Sequence, residues 1–231
     1  MTINEKAGII QARTDSSRFP SKVLQIIEGK PLLWHVIERS KKIGIPIIVA
    51  TTQRDIDDKI IEISNECDVK YYRGSTNDVL DRYYQASKEY KLNEIFRITA
   101  DSPLIDPHLC SQIVKSFETS EVDYVRPAAN TVLGIGMEGF TFEALEKAWL
   151  NAKSPAEREH VTPYIINPEN GFRILEIQTG YDLGKFHWTV DVPYDLEFIR
   201  GIFAELYKNG IFYTDDILEL LRKKPYLMKN R

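Results

Sequence analysis

The sequence predicts an α/β protein, with a mostly parallel central sheet flanked by helices. Two observations lead there. Short apolar runs alternate with segments of helical period along the first half of the chain, the pattern of parallel strands covered by helices on both faces. The chain has 231 residues, 43% of them hydrophobic and 28% charged, an ordinary globular composition with ample material for a core.

The elements follow in order. "AGIIQ" (7–11) reads as the first buried strand. After a polar loop, Pro31 opens a helix whose apolar face is Leu32, Leu33, Val36 and Ile37. "PIIVATT" (46–52) is a second strand, and Ile56, Ile60, Ile63 and Cys67 mark the next helix. "VKYYRG" (69–74) is a third strand, followed by a helix carrying Val79, Tyr83, Ala86 and Tyr90. "EIFRITAD" (94–101) is a fourth strand, with a helix over 107–118 and a strand at 122–126. "MEGFTF" (137–142) runs into the helix "FEALEKAWLNA", and "SPAE" (154–157) is a capping box with Pro155 in the first helical position. "FRILEIQ" (172–178) and "KFHWTVD" (185–191) read as strands, with Trp188 assigned to the core. Leu196, Ile199, Phe203 and Leu206 form a helical stripe, and a last helix covers 214–223. The basic end "RKKPYLMKNR" reads as a solvated terminus. Residues 127–170 break the alternation, so within a single domain over 1–231 they are the expected inserted lobe or dimerisation arm.

The formal net charge of −4, from 30 Lys and Arg against 34 Asp and Glu, argues against a general nucleic-acid binder. It leaves room for a local basic pocket, because fields in salt reach only about 8–10 Å. Cys67 and Cys110 have no metal-type spacing and suit a reduced protein. No signal-peptide pattern opens the chain and no apolar run approaches the ~20 residues of a membrane span. A cytoplasmic protein without membrane partners is expected.

One loop stands out. Residues 12–22 leave the first strand at its carboxyl end, where ligands of open α/β sheets gather. They carry Arg13, Arg18 and Lys22 against Asp15 alone, with hydroxyls at Ser16, Ser17 and Ser21. Arg clamps phosphate oxygens as a fork and Lys as a mobile charge. Two readings are open: a nucleotide phosphate cradle, or a solvated loop paired to surface carboxylates. It is neither a Walker loop nor a Gly-x-Gly-x-x-Gly loop. Asp101 and Asp191 each end a predicted strand. Such a pair suits Mg²⁺, which takes one or two carboxylates plus substrate phosphates; alone, Asp101 also fits a turn and Asp191 a helix cap. Glu157 and His160 share a helix face, and His160 fits a structural role as well as a substrate contact.

"QARTDSSRFPSK", "VLQIIEGKPLLWHVIERSKK", "RGSTNDVLDRYYQA", "RITADSPLID", "FEALEKAW", "EREHVTPYI" and "WTVDVPYDLE", in that order and spacing, resemble the CMP-sugar synthetases and cytidylyltransferase-like proteins of the spore-coat polysaccharide protein F type. The resemblance runs from about residue 7 to 207. It implies a glycosyltransferase-A-like nucleotidyltransferase fold, CTP as substrate, Mg²⁺ as cofactor and a homodimer. Carried onto this chain, it has Arg13, Arg18 and Lys22 hold phosphate oxygens, the Gln11–Ala12 backbone lie by the base, and Asp101 and Asp191 hold the metal. Arg73, Ser75 and Asp78 become candidates for framing the cytosine, though Asp78 also fits a helix cap and Asp81 with Arg82 a surface pair. Glu138, Arg158, Glu159 and His160 become candidates for the acceptor, Arg158 suiting a carboxylate.

Three positions depart from the family pattern. Asp15, Ser21 and Ala100 stand where relatives carry Gly. A positive φ at Ser21 costs roughly 1–2 kcal/mol, and a carboxylate at Asp15 repels phosphate unless it turns outward. The expected function is Mg²⁺-dependent transfer of CMP from CTP to a hydroxyl of a sugar acid or related polyol, in surface-polysaccharide or glycan precursor synthesis. The rivals are a glycosyltransferase using a nucleotide-sugar, for which "ADSP" lacks the Asp-x-Asp, and a non-catalytic nucleotide-binding subunit.

Overall fold

The computed structural model describes residues 5–181, 183–184 and 186–228. Its centre is a seven-stranded sheet. The strands are β1 (Lys6–Gln11), β4 (Ile47–Thr52), β5 (Lys70–Gly74), β6 (Glu94–Thr99), β7 (Tyr124–Pro127), β8 (Glu138–Thr141) and β9 (Ile174–Ile177). A separate hairpin pairs β2 (Ile26–Ile27) with β3 (Lys30–Pro31). Sheet order is β5-β4-β1-β6-β8-β7-β9. Within this sheet every pairing is parallel except the two made by β8, which runs antiparallel to β6 and β7. Only ten residues, 128–137, join β7 to β8, fewer than a parallel crossover needs, so the chain turns back.

The helices are α1 (Leu32–Lys41), α2 (Asp58–Glu66), α3 (Val79–Glu89), α4 (Pro107–Glu118), α5 (Phe142–Asn151), α6 (Pro155–His160), α7 (Pro163–Ile166), α8 (Pro193–Leu206) and α9 (Thr214–Lys223). Alternation along the strands divides the core. Ile10, Val49, Phe96 and Val125 face α1, α2, α4, α8 and α9, whereas Ile9, Ile48, Ile95 and Tyr124 face α3 and α5. β1 and β4 are therefore buried on both sides, which is why their sequences carry no polar stripe. Cys67 and Cys110 are free and buried. No helix of the described residues is long and apolar enough to cross a membrane.

Within the 127–170 stretch, expected as an inserted lobe or dimerisation arm, β8 lies inside the sheet and α5 packs Leu145 and Ala148 into the core beside α3. One expectation is corrected. The expected strand at 185–191 is not regular. Lys185 lies outside the described residues, and of the rest only His187 makes a bridge, to Leu133. The Trp188 amide donates to Leu133 O at 2.7 Å and the Val190 amide to Asp101 O at 2.8 Å. Its amides thus serve two different loops rather than one neighbouring strand. Gly134 permits this approach: its φ is +101°, and a Cβ there would lie 2.9 Å from the Trp188 carbonyl carbon. Trp188 itself is buried, as expected.

Candidate active site

The loop after β1 is pinned at its start. Thr14 donates to Asp57 Oδ1 through its amide at 2.8 Å and its hydroxyl at 2.7 Å, and Thr52 holds the other oxygen of that fully buried carboxylate. Thr14 O in turn accepts from Ser16 and Ser21 amides, at 3.1 and 2.7 Å. Ser21 closes this loop in the left-handed region, at φ 56° and ψ 25°. It accepts the strain that glycine would avoid. Asp15 points outward and pairs with Arg54 at 2.6 Å. That hydrogen bond and the Arg54 charge hold its carboxyl below the usual range, and it does not line the cavity.

The cavity beyond the strand ends has a volume of about 1020 Å³, at the upper limit of the roughly 300–1,000 Å³ usual for one small ligand. One wall is the loop, through Arg13, Ser16, Ser17, Arg18 and Lys22. Facing it are Asp101 and Asp191, ninety positions apart in sequence. The Val190-to-Asp101 backbone bond sets them side by side. Both reach one cation: Lys22 Nζ lies 2.7 Å from Asp101 Oδ2, 3.1 Å from Asp191 Oδ1 and 2.8 Å from Val190 O. Arg18 Nη2 adds a contact to Asp191 Oδ1 at 2.7 Å. Two carboxylates and a carbonyl converging on one point are the hard oxygen donors that Mg²⁺ takes. Among the described residues no group of three or more His, Cys, Asp or Glu side chains could hold a metal.

The far end of the cavity is built from β6 and β8. Arg97 donates from Nε to Gln11 Oε1 at 3.1 Å and from Nη1 to Glu138 Oε2 at 2.5 Å. Burial disfavours its charge, but adjacent Glu138 with Tyr83 and Tyr124 together raise its pKa. Glu138 also accepts from the Tyr124 hydroxyl at 2.5 Å and from Thr162 at 3.3 Å. His160 and Glu159 line the same end, and Arg13 reaches Glu159 at 3.3 Å. A strained turn sets this corner: buried Val161 has φ 71° and ψ −56°, and the Thr162 amide closes back on His160 O at 2.8 Å.

Of the sequence candidates, Gln11, Ala12, Arg13, Arg18, Lys22, Asp101, Asp191, Glu138, Glu159 and His160 therefore share one cavity. The Ala12 amide is committed to Ala50 O at 3.1 Å. Arg73, Ser75, Asp78 and Arg158 are not among the lining residues. Arg73 spends its guanidinium on Thr52 O, Arg54 O and Asp58. The Ser75 hydroxyl accepts from the Asp78 amide. Asp78 caps α3 through the Asp81 amide and binds Arg158 Nε at 2.8 Å, so Arg158 ties α6 to α3.

Arg82 is not a surface partner of Asp81. It is 1% exposed and lines the cavity, donating to Ser75 O at 3.0 Å and Thr76 O at 3.3 Å. Sequence reasoning missed Thr14, Asp57, Arg97 and Tyr124. Arg97 left a signal, a cation inside the otherwise apolar strand "EIFRIT" four residues before Asp101; Asp57 left none that separates it from its neighbours Asp55 and Asp58.

Comparison with known proteins places this arrangement. The chain is 40% identical over 228 residues to the uncharacterized protein MJ1063 of Methanocaldococcus jannaschii, covering 95% of this chain and 91% of that protein. It is 27% identical to the spore coat polysaccharide biosynthesis protein SpsF of Bacillus subtilis, covering 96% of each. Among solved structures, a cytidylyltransferase from Leptospira borgpetersenii serovar Hardjo-bovis superposes with a TM-score of 0.90 at 28% identity, covering 98% of both chains. The seven-stranded sheet is thus the nucleotidyltransferase fold. With residues 7–214 matching the family model, the chain belongs to the cytidylyltransferase family.

Proposed function

We propose that the protein transfers CMP from CTP to a hydroxyl of a sugar acid or related polyol, with Mg²⁺ as cofactor and pyrophosphate as leaving group. The carrying observation is the convergence, in one cavity, of Arg18 and Lys22 on Asp101 and Asp191. In this reading Arg13, Arg18 and Lys22 hold the triphosphate, and Arg18 and Lys22 stay with the departing pyrophosphate. Arg97, Glu138 and His160 face the acceptor and align its hydroxyl with the α-phosphorus. Positioning and fixed charge supply most of such catalysis. Asp101 and Asp191 would hold Mg²⁺, which neutralises charge on the transferring group and lowers the pKa of a bound oxygen. The likeness to a spore-coat polysaccharide protein supports a place in surface-polysaccharide precursor synthesis. The working form in this reading is a cytoplasmic homodimer.

The test is pyrophosphate release from CTP, UTP, GTP and ATP, with and without Mg²⁺, across a panel of sugar acids and polyol phosphates. Release confined to CTP with one acceptor class, and lost without the metal, is expected. Tight CTP binding with no release for any pair would instead identify a non-catalytic subunit.

A further inference from the structure

Lys22 has its ammonium bound among carboxylate and carbonyl oxygens rather than free in the cavity. Its side chain is 12% exposed, and its ammonium is held by Asp101, Asp191 and the Val190 carbonyl together. Those three oxygens are the donors assigned above to the metal. An ammonium group and a divalent ion cannot occupy the same point among them. Arg18, by contrast, is 65% exposed and pairs with Asp191.

We propose that Lys22 is an exchange residue: it holds the carboxylate pair against divalent ions until a nucleotide triphosphate draws its ammonium away. The proposal rests on the function proposed above. The lysine stem is a flexible chain carrying a point charge, so it can swing from carboxylate to phosphate without moving its backbone. Lys22 begins a short 3-10 turn directly after Ser21, whose amide is fixed to Thr14 O, so the pivot is anchored while the side chain moves. Phosphate oxygens compensate the ammonium as well as carboxylates do, and the freed carboxylates then accept the ion that accompanies the nucleotide. Metal and nucleotide binding are linked, and linkage is reciprocal: the protein takes the metal poorly alone and well with nucleotide.

The experiment titrates Mn²⁺ into the full-length protein without nucleotide, reading free Mn²⁺ by electron paramagnetic resonance. Lys22→Met should bind Mn²⁺ at least tenfold more tightly than the parent. Lys22→Gln should behave likewise, and it serves if the Met variant does not fold. Arg18→Met removes the same charge from a less buried position and should gain less than threefold. Equal affinity in the parent and both Lys22 variants would overturn the proposal. So would an equal gain in Arg18→Met, because charge alone would then explain the effect. A parallel CTP titration separates the two readings. A parent that binds CTP and releases pyrophosphate, with Lys22 variants no tighter for Mn²⁺, would defeat the exchange alone. A parent that binds neither CTP nor Mn²⁺ would defeat both.

Discussion

The amide of Val190 donates to the carbonyl of Asp101 over 2.8 Å. Through that one bond, the end of β6 and the irregular segment before α8 present adjacent carboxylates to a common cation. Neither Asp101 nor Asp191 depends on its side chain for its place. Asp101 follows a strand fixed on both edges, and the Asp191 amide is held by Asp195 Oδ2 at 2.9 Å.

That separation of backbone from side chain makes the carboxylates removable. Asp101→Asn and Asp191→Asn should each fold as the parent does, with melting temperature unchanged to within about 4 °C, since a shift of that size corresponds to roughly 1 kcal/mol here. Turnover should fall at least a hundredfold, in line with the roughly 10²–10³ lost with one charge-stabilising group. Pyrophosphate release and circular dichroism check the two halves. Activity within threefold of the parent at limiting Mg²⁺ would remove both residues from the chemistry.

Ser21 offers a test on stability. Its φ of 56° is left-handed, and its side chain makes no cap hydrogen bond. Ser21→Gly should raise stability by about 1 kcal/mol, the strain relief being partly offset by the entropy of glycine, or roughly 2–4 °C in melting temperature for a chain of this length. A lower melting temperature would mean that Ser21 is unstrained where it sits.

The legibility of the fold follows from the same physics. β1 and β4 were readable because burial on both faces leaves an unbroken apolar run, and α6 because Ser154 and Glu157 complete a capping box on local spacing. The convergence of Asp101 and Asp191 was not readable from residues: it rests on Gly134 letting the 186–190 backbone approach, a contact without periodicity. The placement of β8 between β6 and β7 was hidden for a similar reason, since pairing partners leave no mark in a four-residue strand. Asp78 and Arg158 bond each other rather than line the cavity, and a charge near a site looks the same in sequence whether it binds a ligand or its neighbour.

His35 predicts a pH effect. It is 1% exposed, and its Nε2 donates to Ile27 O at 2.7 Å. Burial, reinforced by the nearby charges of Arg39 and Lys30, lowers its pKa below the ordinary 6.5. Above about pH 6.5 the ring is neutral in folded and unfolded chains alike and adds no slope. As the pH falls below that value, the unfolded chain takes up a proton that the folded one refuses, so stability drops until the lowered folded pKa is reached. Urea midpoints at pH 8, 7, 6 and 5 should show this, and His35→Gln should flatten the decline between 6.5 and the folded value. An unchanged decline in the variant would place its origin elsewhere.

Val161 gives the sharpest comparison, because two small substitutions there should lose their usual gap in stability. At a buried site with ordinary backbone, glycine is worse than alanine by roughly 0.5–1 kcal/mol, since it adds chain entropy to the unfolded state. At Val161 the φ of 71° burdens every residue with a Cβ, by roughly 1–2 kcal/mol. Val161→Ala loses buried methyl surface, about 0.8 kcal/mol per group, and keeps the strain; Val161→Gly loses that and the Cβ but sheds the strain. Strain relief and the entropy and Cβ losses nearly cancel, so glycine should lie within about 0.8 kcal/mol of alanine in stability, measured by denaturant unfolding. The functional readout should run the other way. The strained turn holds His160 at the cavity and Thr162 against Glu138, and glycine frees both. Val161→Gly should then raise the acceptor KM more than Val161→Ala does, with the CTP KM unmoved. If glycine is the less stable by more than about 1.3 kcal/mol, the sum of its entropy and Cβ losses, the turn carries no strain.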